Sequence, residues 1–94
     1  MNAASIFTLF SGATANSNSA TVTWGGGRGW FMGAGTWDTS TLTLQYSGDA
    51  TNWVTAVTAI TADGGSMFEL PLGTQVRANL SSVGASTAVS CWIW

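Results

Sequence analysis

Apolar and polar residues alternate along much of this chain with a period of two. No stretch repeats apolar residues at three-and-four spacing over three turns, so helix is not expected. The clearest segment is residues 41–46. Leu42, Leu44 and Tyr46 face one way and Thr41, Thr43 and Gln45 the other, which is the pattern of a half-buried strand. Seven further short runs are read as strands: 5–10, 20–24, 28–37, 53–58, 66–70, 74–80 and 87–94. Between them lie polar or glycine-rich breaks at 11–19, 25–27, 38–40, 47–52, 63–65 and 81–86.

Parity assigns faces. Val22 and Trp24 share one. Residues 41–46 and 53–58 are expected to form a hairpin, with Trp53 in the core. A second hairpin is expected around Leu70-Pro71-Leu72-Gly73. Its inward residues are Phe68, Leu70, Val76, Ala78 and Leu80, and Glu69 lies across from Arg77 on its outer face. Gly29, Gly33 and Gly35 predict a bulge or a close approach of another backbone. The last run has two apolar faces, whichever way it is turned. If Val89, Cys91 and Ile93 point inward, Trp92 and Trp94 point outward; the reverse parity exposes Ile93 instead. A strand with two apolar faces is expected to be covered on both. The fold expected is all-β: a single β domain over residues 1–94, an antiparallel β-sandwich or jelly-roll-like barrel of about eight short strands.

Composition narrows the function. The charged residues are Arg28, Arg77, Asp38, Asp49, Asp63 and Glu69, with no Lys and no His, and the net charge is −2. Two arginines do not neutralise a phosphate backbone, so nucleic acid is not an expected partner. With no His and one Cys, the common zinc sites cannot be made up, and no cofactor is expected. The apolar runs fall well short of the ~20 residues of a membrane helix, and residues 1–10 have neither the basic start nor the apolar length of a signal peptide. No His or Lys is present to activate the many Ser and Thr hydroxyls, so nucleophilic catalysis is not expected. The three Asp residues fall in turns, where Asp bonds locally. The Gly25-Gly26-Gly27-Arg28-Gly29 run precedes a strand rather than a helix, which argues against phosphate cradling.

What remains is a surface of hydroxyls and glycine with six tryptophans, more than a thin core hides. Low charge and surplus aromatic residues are the composition of a surface that becomes covered. Trp30, Trp92, Trp94 and Arg28 are the candidate partner-contact residues. No catalytic or metal residue is assigned.

Several segments together resemble small β-rich structural proteins of tailed bacteriophages, of the capsid decoration (cement) type. They are Gly27-Arg28-Gly29, Gly35-Thr36-Trp37, Thr43-Leu44-Gln45-Tyr46, Asn52-Trp53-Val54, and Phe68-Glu69-Leu70-Pro71 followed by Gln75-Val76-Arg77-Ala78. The similarity spans about Gly25 to Asn79. It implies a virion protein on the capsid surface, bound to the major capsid protein, often as a homotrimer, and assembled in the bacterial cytoplasm, where a lone free Cys91 is at home. The alternatives are a carbohydrate-binding β module, suggested by the tryptophans, and a head-completion or tail component of a phage particle.

Overall fold

The computed structural model describes residues 6–94, and these form two antiparallel sheets. The strands are β1 (Phe7–Ala13), β2 (Ser17–Asn18), β3 (Val22–Thr23), β4 (Gly27–Thr36), β5 (Thr41–Ser47), β6 (Val54–Thr55), β7 (Gly64–Leu70), β8 (Gln75–Ser81) and β9 (Ala88–Ile93). Sheet A has the order β1-β9-β4-β7. Sheet B has the order β2-β8-β5-β6, with β3 also paired to β8. β2 and β3 thus form one interrupted edge. The chain crosses between sheets at every other connection except β5–β6, which is the double-sheet order of a jelly roll. The all-β sandwich expected from the alternation is what forms.

Burial follows the pleat. Leu42 and Leu44 on β5, and Val76, Ala78 and Leu80 on β8, point inward and are buried; Val89, Cys91 and Ile93 meet them from β9. β4 solves a packing problem between the layers. Its inward positions alternate Gly29, Phe31, Gly33 and Gly35, and the glycines are holes for large neighbours. A Cβ on Gly29 would lie 2.5 Å from the Trp24 ring and 2.6 Å from Phe68; one on Gly33 would lie 2.6 Å from Leu42. Trp24 fills the first hole, with its ring centroid 4.8 Å from that of Phe68 and its Nε1 donating to the Gly27 carbonyl at 3.0 Å. The close approach expected at the glycines is therefore mostly of side chains, and of backbone at Gly35, where the Ala88 carbonyl presses in.

Several expectations are corrected. The loop expected at 11–19 holds the end of β1 and all of β2. The first run was to start at Ser5, which lies outside the described residues. β1 slips register between Thr8 and Phe10, so Leu9 and Phe10 are both buried in succession, as a bulge allows. The segment 66–80 is not a hairpin: β7 belongs to sheet A and β8 to sheet B. Glu69 accordingly lies across from Arg28, and Arg77 across from Gln45. Period-two parity is the same for a hairpin and for a sheet-to-sheet corner, so it did not separate them. Trp53 is not in the core. It is half-buried outside sheet B, under the Arg77 guanidinium, whose carbon sits 4.1 Å from the ring centroid.

Candidate functional site

The two outer faces of the sandwich differ in kind. Sheet B presents Thr41, Thr43 and Gln45 from β5 and Gln75, Arg77 and Asn79 from β8, tied by bonds such as Arg77 Nε to Gln45 Oε1 at 2.9 Å. Sheet A presents aromatic and thioether side chains. The inward parity of Val89, Cys91 and Ile93 turns Trp92 and Trp94 outward, so the first of the two orientations considered for the last run is the one adopted.

Register assembles these residues in rows. Thr8, Trp92, Met32 and Gly65 lie abreast across the four strands. In the next row Trp94 and Trp30 exchange backbone bonds, Trp30 N to Trp94 O at 2.8 Å and Trp94 N to Trp30 O at 3.1 Å, and Trp30 stands beside Met67. Beyond it Arg28 stands beside Glu69. The Trp30 indole lies over Gly65, where a Cβ would come within 2.7 Å of its Nε1. Trp30 is 42% exposed, Met67 56% and Ile6 60%. Ile6, Thr8, Met32, Trp92 and Trp94 line an open groove of about 350 Å³ in which Thr8 carries the single hydroxyl.

The four residues singled out from the sequence, Arg28, Trp30, Trp92 and Trp94, thus share the outer face of sheet A. Met32, Met67 and Ile6 belong to the same surface and were not singled out. The signal for Met32 was present, since it alternates with Phe31 and Gly33. Met67 needed the knowledge that β7 joins sheet A.

A second cleft, about 360 Å³, opens at the end of the sandwich. Phe7, Trp24 and Trp94 wall it, with Arg28 and the Gly25–Gly26 backbone at its rim. The positive φ of Gly26 and Gly27, 90° and 82°, carries the chain around this corner into β4.

The acidic side chains are held by local bonds. Asp49 accepts from Thr51 N at 2.9 Å, Asn52 N at 2.8 Å and Ser47 Oγ at 2.8 Å. These bonds, the backbone donors foremost, hold its carboxyl well below the usual carboxylate range. Asp63 accepts from Trp37 Nε1 at 2.7 Å and Gly35 N at 3.0 Å, which lowers its pKa likewise. Asp38 accepts from Ser86 N at 2.7 Å. Among the described residues no group of three or more His, Cys, Asp and Glu side chains gathers in one place, and no helix is long and apolar enough to cross a membrane.

No family model matches the chain, and no curated protein does. Among solved structures, one described as the crystal structure of PirA is similar at a TM-score of 0.49 and 13% identity, over 96% of this chain and 90% of that one. A likeness at this level carries nothing about function.

Proposed function

We propose that the chain is a non-catalytic assembly module that docks through the outer face of sheet A onto another protein. The observation that carries this reading is the contrast between the two outer faces, one covered by hydroxyls and amides with Trp53 capped by the Arg77 guanidinium, the other built from Trp30, Met32, Met67, Trp92 and Trp94. Aromatic and Met side chains with little charge are the composition of an interface core. The resemblance to phage decoration proteins supplies the setting: the capsid exterior, with the major capsid protein as partner. On a lattice, many modest contacts of this kind add up. Mass spectrometry of purified particles tests the setting, and its absence from them removes it. Binding of the purified protein to empty capsids tests the face. Replacing Trp92 and Trp94 with Ser is expected to abolish uptake, while Thr43→Ala on sheet B leaves it unchanged.

Carbohydrate binding has one observation in its favour, the cleft where Trp94 and Phe7 stand beside Arg28. The groove on the outer face of sheet A speaks against it, because a sugar ring needs several polar partners as well as a ring to stack on, and Thr8 carries the one hydroxyl among its lining side chains. A glycan array without hits, and Trp fluorescence that sugars leave unaltered, would remove this reading.

A further inference from the structure

The four edges of the two sheets are not alike. β1 slips register twice along its length. The β2/β3 edge is broken into two-residue pieces, and β6 is two residues long. Such bulges, breaks and short strands are how sheet edges are kept from pairing with other chains. β7 has none of these devices. It runs seven residues, Gly64–Leu70, in unbroken register with β4 from Gly33↔Gly64 to Gly27↔Leu70. It contains no Lys and no Pro, and its far edge is the end of sheet A.

We propose that this edge pairs with β7 of a second copy, antiparallel about a two-fold axis through Met67, joining two sheets A into one continuous sheet. Face parity requires the axis to pass through a residue, because paired residues point to the same side of a sheet. An axis at Ser66 would set Asp63 against Glu69 of the second copy, two like charges. An axis at Phe68 would bring Pro71, which has no N–H, into the ladder. The axis at Met67 uses the whole strand: Gly64 meets Leu70, Gly65 meets Glu69, Ser66 meets Phe68, and the two Met67 side chains touch.

That register also explains why a second copy fits. Gly65 is the position over which the Trp30 indole lies, so that a Cβ there would come within 2.7 Å of its Nε1. Trp24 and Trp37 give their indole N–H groups to the Gly27 carbonyl and to Asp63, whereas the Trp30 N–H, like those of Trp53, Trp92 and Trp94, has no partner among the described residues. Pairing at Met67 brings the Glu69 carboxylate of each copy alongside Gly65 of the other, next to this free donor. The self-complementary arrangement is that of an isologous interface. It calls for a two-fold assembly, where the resemblance implied trimers. It is independent of what covers the outer face of sheet A.

The test uses the purified free protein without any partner. Sedimentation is expected to give a concentration-dependent dimer. Met67→Lys, which places two charges on the axis at an exposed position, should leave a monomer with an unchanged far-ultraviolet spectrum. Trp30→Phe, which keeps a ring and removes the N–H, should weaken the dimer about tenfold. In Met67→Cys the two thiols face each other across the axis and should form an intermolecular disulfide under mild oxidation. Thr43→Cys on sheet B should not, and native Cys91 is buried. A monomer throughout, or Met67→Cys that links no faster than Thr43→Cys, overturns the proposal and leaves the edge to a foreign strand. So does a dimer that survives Met67→Lys.

Discussion

At the residue scale, the absence of a side chain is a packing element here. Gly29 and Gly33 are the sockets into which Trp24, Phe68 and Leu42 project. Gly29→Ala is therefore expected to destabilise the fold by about 1–3 kcal/mol, since an overfilled core displaces its neighbours. Gly25→Ala, whose Cβ meets nothing within 4 Å, should be neutral or slightly stabilising. Urea titrations of the two variants check the contrast. The carboxylates make a pH prediction. Asp49 and Asp63 have pKa values lowered by the bonds they accept, so over the intervening range the unfolded chain binds more protons than the folded one. Their contribution is whole above the ordinary value of 3.8 and is lost as pH falls towards the folded values. The melting temperature should drop on acidification below about pH 4, and less steeply in Asp49→Asn. Cys91, fully buried, has its thiol pushed up to about 12 by desolvation. A bulky thiol reagent at neutral pH should label it at the rate of unfolding, which a denaturant series measures.

At the scale of elements, β9 is the strand on which the site depends. It lies between β1 and β4, so its inner side chains, Val89, Cys91 and Ile93, are fixed in the core, and its outer pair, Trp92 and Trp94, is held rigidly in place. Sheet-to-sheet corners shape the rest. At the β4–β5 corner Ser40 N donates to Trp37 O at 2.8 Å, with Asp38 and Thr39 at φ of 40° and 71°. A left-handed conformation costs a β-branched residue about 1–3 kcal/mol. The Thr39 hydroxyl recovers part of this by donating to the Ser82 carbonyl at 3.0 Å. Thr39→Gly is expected to raise stability by up to about 1 kcal/mol, read from the denaturation midpoint. Loss of stability on that change would mean that the bond to Ser82 outweighs the strain.

At the scale of the whole molecule, the sandwich is two-sided. One outer face carries hydroxyls, amides and the Arg77–Trp53 pair; the other carries a contiguous apolar surface of the sort that soluble monomers rarely leave open. If that face is the docking surface, the effects of substitution should follow geography and not residue type. Met32→Ser should weaken partner binding as a Trp92 variant does. Arg77→Gln should leave binding intact and cost a little stability, because Arg77 serves Trp53 and Gln45 on the opposite side. Calorimetric titration against the partner, with thermal melts alongside, separates the two effects.

Alternation was enough to read the fold class from the chain, along with the faces of β5 and β8, because the pleat ties burial to residue parity locally; it left β9 with two possible orientations, between which only the fold decided. The count of large rings, too many for one thin core, pointed to tryptophans at the surface, and Trp30, Trp92 and Trp94 lie with Arg28 on the outer face of sheet A. Alternation was blind to which sheet each strand joins. That decision is made by contacts distant in the chain: Trp24 entering the hole at Gly29, Leu42 the hole at Gly33, and β9 inserting between β1 and β4. Only those contacts separate Glu69 from Arg77, take Trp53 out of the core, and bring Met67 beside Trp30. Parity is a property of neighbours along the chain, whereas a shared face is a property of strands that meet in space. The scattered tryptophans therefore became one surface only in the folded molecule.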